Sequence, residues 1–189
     1  EIIIITPYYV PGDSGVEFVR NLVNKGVRVV ILTNSLASNN HVPVHSGYSR
    51  YRKDVIRAGV ELYEARAPAA RELKRTDEGP DIMTLHTKAF LIDRRYLFVG
   101  SLNLDPRSIE INAEMGLLID SAKMIAEHHS DPDARLAELT YRVLLNEDGD
   151  LEWHGRVNGE DVVKTKEPDT SAWLRFKAWF MKIVPESQL

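Results

Sequence analysis

The stretch Ile2–Thr6 (IIIIT) and the later stretch Val27–Leu32 (VRVVIL) decide the fold class of this protein. Short apolar runs of this length are typical of strands that are buried on both faces of a sheet. Between the two runs, apolar residues recur at helical spacing from Val16 to Val23, and Gly26 marks the end of that helix. A strand, a helix and a second strand in this order predict a parallel pair joined by a right-handed crossover.

The same order is repeated once before the chain changes character. Tyr48–Ala58 predicts a second helix, which Gly59 ends, and Val60–Tyr63 predicts a third strand. From Met83 onwards, short strands separated by polar turns are predicted at 85–92, 96–99, 113–119, 141–146 and 151–157. We therefore predict an α/β fold with a mixed, mostly parallel sheet flanked by helices.

The composition narrows the classes of function. The chain has 189 residues, of which 43% are hydrophobic, so it can bury a full core. It has no cysteine, which excludes thiolate catalysis, disulfides, iron–sulfur clusters and zinc sites built on thiolates. A net charge of −4 argues against a protein that depends on overall attraction to nucleic acid. The chain opens at Glu1 directly before an apolar run, which we interpret as a cut from a longer protein.

The residues best suited to chemistry lie between the fourth predicted strand and Glu114. Strand alternation places His86 and Lys88 on one face, about 6 to 7 Å apart. An ammonium group neutralises a phosphate, and an imidazole can attack phosphorus or transfer a proton near neutral pH. Ser101 and Asn103, after the next strand, offer a hydroxyl and an amide to phosphate oxygens. Glu114 is a candidate to hold one nitrogen of the His86 ring and so fix its tautomer.

The spacing of these residues, His-x-Lys-x4-Asp-x6-Gly-Ser-x-Asn, is similar to the signature of the phospholipase D superfamily. The six positions are filled by His86, Lys88, Asp93, Gly100, Ser101 and Asn103. The stretches 5–12, 32–37, 44–48 and 59–64 also resemble the second half of bacterial cardiolipin synthase-like proteins. The resemblance therefore covers nearly the whole chain and implies a phospholipase D-like lobe.

The resemblance implies phosphatidyl transfer on glycerophospholipids through a phosphohistidine intermediate, with no metal and no cofactor. It makes His86 the nucleophile or the general acid, without deciding between them, and it makes Glu114 the residue that orients His86. Phosphoryl oxygens would be bound by Lys88, Ser101 and Asn103. Two alternatives stay open: hydrolysis of the same lipids by a phospholipase D, and a phosphodiesterase or nuclease of this superfamily that acts as a dimer.

The remaining candidate residues have supporting roles. Asp93 lies off the His86 face and is expected, with Gly100, to be structural or to lie behind the residues that contact substrate. Residues that could line the site are Tyr8, Tyr9, His45 and Tyr48. Members of the family use two such motifs and this chain carries one, so a partner is expected. That partner is either the upstream half of the same enzyme or a homodimer mate.

The end of the chain differs from the rest. We expect residues 1–165 to form the catalytic lobe and residues 166–189 to form an extension with an amphipathic helix. This helix, from a cap at Asp169, Thr170 or Ser171 to Val184, carries aromatic residues on one face and basic residues beside them. It predicts either docking on its own domain or peripheral membrane contact through Trp173, Phe176, Trp179 and Phe180. The resemblance implies a bacterial protein on the cytoplasmic side of the inner membrane.

Overall fold

The computed structural model describes residues 1–69, 84–128 and 132–183, whose strands form a single nine-stranded sheet. The strands are β1 (Ile2–Ile5), β2 (Val29–Asn34), β3 (Glu61–Ala65), β4 (Ala89–Ile92), β5 (Tyr96–Gly100), β6 (Gly116–Asp120), β7 (Thr140–Leu145), β8 (Leu151–Val157) and β9 (Glu160–Lys164). The helices are α1 (Gly12–Asn24), α2 (Val42–Arg57), α3 (Pro106–Glu110), α4 (Ala122–His128), α5 (Pro132–Leu139) and α6 (Ala172–Phe180), with a 3₁₀ turn at Met181–Ile183.

The sheet is mixed, as predicted, but it is not mostly parallel. Its order is β6-β5-β4-β1-β2-β3-β7-β8-β9, and only the β1–β2 and β2–β3 pairs are parallel. The other six pairs among the described strands are antiparallel. Parallel strands need long crossovers, which α1 and α2 supply, whereas β4–β5, β7–β8 and β8–β9 are joined by short turns. The α/β class is therefore confirmed and the predicted predominance of parallel strands was wrong.

Helices cover both faces of the central strands because neighbouring residues of each strand point to opposite sides. Ile4 and Ile31 face the buried residues of α1 and α2, among them Val19 and Val55. On the other face, Ile3 and Val30 pack in a cluster that α4 and α5 complete through Ile125 and Leu136. The apolar runs of β1 and β2 are thus buried on both sides, as their sequence predicts.

The C-terminal segment is docked on α2. Ser171 caps α6 by accepting a hydrogen bond from the Leu174 amide at 3.1 Å, and Ser46 of α2 donates to the Ala178 carbonyl at 2.7 Å. Ala178 is buried against the lobe. The aromatic residues predicted to form a stripe lie on the exposed side of the same helix, so docking and an outward aromatic face coexist. Val184, where the sequence predicts the end of the helix, lies outside the described residues.

Candidate active site

His86 does not lie within a strand, because β4 begins at Ala89, four residues later than the sequence predicts. The preceding residue, Leu85, is held instead by the buried side chain of Asn34 at the end of β2. The Asn34 amide donates to the Leu85 carbonyl at 3.0 Å and accepts from the Leu85 amide at 2.9 Å. His86 is exposed beside this clamp, while Lys88 is buried. These two hydrogen bonds place an accessible imidazole at the end of the sheet where β2 ends and β4 begins.

Lys88 is directed into the protein next to His86. Its Nζ donates to the His86 carbonyl at 3.0 Å, and its side chain shares an electrostatic environment with the carboxylates of Glu114 and Asp105. Burial lowers the pKa of Lys88, and the two carboxylates oppose that shift. A partly desolvated ammonium beside an exposed imidazole is suited to binding a phosphoryl oxygen.

Gly100 joins Lys88 to the following loop. Its amide donates to the Lys88 carbonyl at 3.1 Å, which brings the end of β5 beside the start of β4. A Cβ at Gly100 would collide with the Met115 carbonyl and would lie 2.9 Å from the Gly116 Cα. The glycine is therefore required by the close approach of β5 and β6, and Ser101 follows at a fixed position.

Ser101 and Glu114 form a hydrogen-bonded pair across this junction. The Ser101 hydroxyl donates to the Glu114 carboxylate, and the Met115 amide donates to the Ser101 Oγ at 3.0 Å. The Ser101 hydrogen bond is the main reason that the pKa of Glu114 lies below its ordinary value, with a further contribution from Asn112 at 3.3 Å. Within the described residues, the hydrogen-bond partners of Glu114 are Ser101, Asn112 and Ser108, and the predicted partner His86 is not among them.

Asn103 lies in a polar groove of about 390 Å³. Its Oδ1 is buried and has no hydrogen-bond partner among the described residues, while its Nδ2 lies 3.4 Å from the Ser108 hydroxyl. The groove is lined by Tyr8, His41, Pro43, Val44, Asn103, Asp105, Arg107, Ser108 and Asn112. An unpartnered amide oxygen in a groove of this size is available to a substrate.

Asp105 and His41 are among the residues of this groove that were not singled out from the sequence. Asp105 caps α3 by accepting from the Ser108 amide at 2.8 Å, and burial raises its pKa. An aspartate directly before a proline, as at Asp105 and Pro106, is a sequence signal for the start of a helix. His41 packs edge-on against Tyr8, with ring centroids 5.6 Å apart.

Of the residues predicted to line the site, only Tyr8 lies in this groove. Its hydroxyl donates to Asn40 at 2.9 Å, and burial raises its pKa. Tyr9 is buried, and its backbone bridges to Leu104, which ties the segment after β1 to the segment after β5. His45 and Tyr48 are also buried and belong to a charged cluster around Arg52.

Asp93 lies at the opposite end of β4 from Lys88, in the turn that joins β4 to β5. It has a positive φ of 49°, its side chain is 69% exposed, and its amide donates to the Glu1 carbonyl at 3.0 Å. Lys88 precedes the first residue of β4 and Asp93 follows the last, so about 16 Å of extended chain separate them. This placement agrees with a structural role for Asp93 in the turn.

Two features of the described residues bear on how the protein could bind its ligands. No group of three or more histidine, aspartate or glutamate side chains in the described residues is arranged to hold a metal ion. No described helix has the length and apolar character needed to cross a bilayer.

The comparisons with known proteins agree on the kind of protein to which this one is similar. Residues 1–134 match a family model described as the cardiolipin synthase, phospholipase D-like domain. Cardiolipin synthase C of Escherichia coli is 38% identical over 190 residues, which cover 96% of this chain and 39% of the relative. This chain thus spans about two fifths of the length of that relative.

Two solved structures share the fold at low sequence identity. Phosphatidylserine synthase of Haemophilus influenzae is 18% identical with a TM-score of 0.53, over 74% of this chain and 32% of the other. NucT of Helicobacter pylori is 18% identical with a TM-score of 0.52, over 74% of this chain and 79% of the other. At this identity the likeness establishes the fold alone.

Proposed function

This chain belongs to the phospholipase D-like family of cardiolipin synthases, and on that basis we propose that it supplies one half of a phosphatidyltransferase active site. One observation carries the proposal. The backbone hydrogen bond between Gly100 and Lys88 brings the buried ammonium beside the loop that carries Ser101 and Asn103. A cation next to the exposed His86, and a hydroxyl and an amide on the adjoining loop, are groups that a phosphodiester requires.

The reaction proceeds in two displacements at phosphorus. In the first, a nitrogen of one imidazole bonds to the phosphorus of a phospholipid, and the bond from phosphorus to the leaving alcohol breaks. A second imidazole gives that alcohol its proton. In the second displacement, the hydroxyl of another lipid attacks the phosphorus, gives its proton to the second imidazole, and releases the first. His86 takes one of these two roles, while Lys88 and the Ser101–Asn103 loop balance the charge on the phosphoryl oxygens.

The second imidazole comes from another phospholipase D-like lobe, which covers an apolar surface near the site. Ile109, Leu117 and Leu118 are each at least 60% exposed, and β6 is an edge strand of the sheet. A mainly apolar cavity of about 450 Å³ lies between α1, β4 and α3 and includes the exposed Phe18. Exposed apolar surface of this kind marks an interface, and a relative of which this chain covers 39% has room for a further lobe.

The proposed substrate also places the protein at a lipid surface. We assign residues 1–165 to the catalytic lobe and residues 166–189 to an extension that contacts the cytoplasmic face of the bacterial inner membrane. Trp173, Phe176, Trp179 and Phe180, which we call the aromatic ridge, are each more than half exposed on α6. Aromatic side chains beside basic ones are typical of helices that lie in a membrane interface.

The test is His86→Asn in the full-length protein that carries this chain, assayed with phosphatidylglycerol vesicles. Without the imidazole, formation of cardiolipin should fall by about a thousandfold or more, because the covalent or proton-transfer step is lost. His154→Asn is the matched control: His154 is a half-exposed histidine of β8 bonded to Glu152, and its loss should leave the rate unchanged.

The products decide between the transferase and its rivals. Release of cardiolipin and glycerol supports transfer, whereas phosphatidic acid as the main product would indicate hydrolysis and cleaved plasmid DNA would indicate a nuclease. Activity of the folded His86→Asn variant within about tenfold of the unmodified enzyme would contradict the role of His86.

A further inference from the structure

A second cavity, separate from the groove at Asn103, lies between α2, β8 and the C-terminal helix. It measures about 170 Å³, well above the roughly 30 Å³ that one water molecule takes up in the liquid. It is lined by Leu36, His45, Ser49, Arg52, Leu151, Trp153, Glu167, Arg175, Ala178, Trp179 and Lys182. None of the residues assigned to catalysis lines it, and the mechanism above makes no use of it.

Charged side chains line this cavity, and one of them, Arg52, is almost completely buried. Arg52 donates to Glu167 at 2.8 Å and lies 3.0 Å from the carboxylate of Glu64. The single positive charge of the buried Arg52 is therefore shared between the carboxylates of Glu64 and Glu167. Tyr48 and Trp153 each donate to Glu64 at 2.8 Å, which holds that carboxylate away from the cavity.

His45 leaves one donor of this cluster unused. Its Nε2 lies 3.1 Å from a terminal nitrogen of Arg52, which can only donate, and 3.5 Å from the Glu167 carboxylate; the shorter contact makes Nε2 an acceptor. The ring proton is then on Nδ1, which is buried and has no partner among the described residues. A buried N–H next to an open cavity is a site for a ligand oxygen.

Two more cations, Arg175 and Lys182, line the cavity together with the carboxylate of Glu167, and neither forms an ion pair within the described residues. Arg175 uses one terminal nitrogen on Thr170, at 2.7 Å to its carbonyl, which leaves its other donors available within the described residues. Lys182 has no ion pair in that part of the chain; burial and the nearby Arg52 and Arg50 lower its pKa, while Glu167 opposes the shift. Crowded cations of this kind are stabilised by an anion.

We propose that this cavity binds the phosphate group of an anionic phospholipid. The location of the cavity distinguishes a lipid from a free anion, because Trp179 belongs both to its lining and to the aromatic ridge. A phospholipid whose phosphate is held by His45, Arg175 and Lys182 would have its acyl chains beside exposed aromatic side chains. This inference rests on the membrane contact proposed for α6 and is independent of the role of His86.

The position of the cavity gives the bound lipid a function. His45 follows His41 by one turn of α2, and His41 lines the groove at Asn103. A headgroup held at His45 therefore fixes the lobe on the bilayer with the catalytic groove next to the same lipid surface.

The experiment compares two lysines in the full-length protein, Lys177 of α6 and Lys182 of the 3₁₀ turn that follows it. Vesicles of phosphatidylcholine, with and without phosphatidylglycerol, are titrated against Lys182→Gln and Lys177→Gln, and folding is followed by thermal unfolding. Lys177 is exposed and does not line the cavity, so its loss should weaken binding to the anionic vesicles by about fivefold, the effect of one surface charge. Lys182→Gln should weaken it by more than about twentyfold because a specific contact is lost as well.

A second variant tests the cavity without a change of charge. Ser49→Leu fills part of the space on α2 and should also weaken binding to the anionic vesicles while leaving binding to phosphatidylcholine unchanged. Equal losses in Lys182→Gln and Lys177→Gln would overturn the site, because they would indicate diffuse attraction. Saturation of the cavity by inorganic phosphate or glycerol 3-phosphate at the concentrations at which vesicles bind would overturn its assignment to a lipid. Loss of catalysis in His86→Asn with unchanged vesicle binding would leave this inference intact.

Discussion

The Asn34 side chain forms two hydrogen bonds with the backbone of Leu85, one to its carbonyl at 3.0 Å and one from its amide at 2.9 Å. Asn34 is the last residue of β2 and is buried, and Leu85 directly precedes His86. The side-chain nitrogen of Asn34 also lies 3.2 Å from the Pro7 carbonyl, and the Ser38 hydroxyl donates to the side-chain oxygen of Asn34 at 3.0 Å. The position of the proposed catalytic histidine therefore depends on an amide at the end of a neighbouring strand.

Replacing this amide should affect catalysis more than stability. We expect Asn34→Ala to lower kcat about a hundredfold, because a displacement of His86 by about 1 Å is enough for a loss of this size. The unpaired backbone groups of Leu85 should cost about 1–3 kcal/mol in the free energy of unfolding. Both values are measured on the full-length protein, by cardiolipin formation and by urea unfolding.

Asn146 provides a matched control for this experiment. Its side chain likewise forms two hydrogen bonds with the backbone, in this case accepting from the amides of Asp148 at 3.1 Å and Asp150 at 2.8 Å in the β7–β8 turn. Asn146→Ala should therefore lose a similar free energy of unfolding and keep the kcat. If Asn34→Ala also keeps its kcat, then Asn34 serves the fold alone.

Ser101 and Glu114 should act as a single unit in catalysis. Because the hydroxyl of one donates to the carboxylate of the other, Ser101→Ala and Glu114→Ala each remove the same hydrogen bond. We expect either variant to reduce kcat by about tenfold or more, and the double variant to be no worse than the poorer single one. Losses that multiply in the double variant would mean that Glu114 acts on another group, such as the predicted partner His86.

Much of the fold was readable from local patterns. The strand–helix–strand units between Ile2 and Tyr63 appear in the structure with boundaries shifted by a few residues, since apolar runs and end glycines are local signals. The antiparallel partners of β1 and β3 were not readable, because β4 and β7 pair with strands far away in the sequence. The predominance of parallel strands was therefore overestimated.

The site was predicted as a set of residues but not as a set of contacts. The spacing from His86 to Asn103 selects residue types, and the hydrogen bond between Gly100 and Lys88 follows from the pairing of two adjacent strands. The contact between Asn34 and Leu85 spans 51 residues, and no local pattern reports it. His45 was a candidate for lining the site because of its place in a resembling stretch, and its burial against Arg52 depends on β8 and on Glu167.

The buried cluster around Arg52 should control the stability of the lobe. Arg52→Met leaves Glu64 buried without its cation, which we expect to cost about 3–5 kcal/mol in the free energy of unfolding. Arg57→Met, on the same helix, removes an exposed arginine paired with Asp54 at 3.3 Å and should cost less than about 1 kcal/mol. Urea unfolding of the two variants measures the difference.

The pH dependence of the Arg52→Met variant gives a further check on the same cluster. Burial already raises the pKa of Glu64, and loss of Arg52 should raise it further. A carboxyl group whose pKa is raised by folding stabilises the protein below its unfolded pKa, and this contribution is lost as the pH rises through the folded value. The variant should therefore lose stability as the pH rises above about 4. A stability that instead increases over this range would show that Glu64 finds another cation.

The aromatic ridge should bind membranes without contributing to folding. Trp173 is 71% exposed and Phe176 is 52% exposed, and their rings stack on each other 5.7 Å apart. Replacing both with serine should change the free energy of unfolding by less than about 0.5 kcal/mol, as for most surface substitutions. Vesicle binding should fall by about tenfold or more, because burial of two aromatic side chains in the interface is lost. Val163→Ser, an apolar residue of β9 that is 53% exposed, is the control and should change neither quantity. A double variant that unfolds readily would mean that the ridge is covered within the full-length protein, and the membrane would then not be its partner.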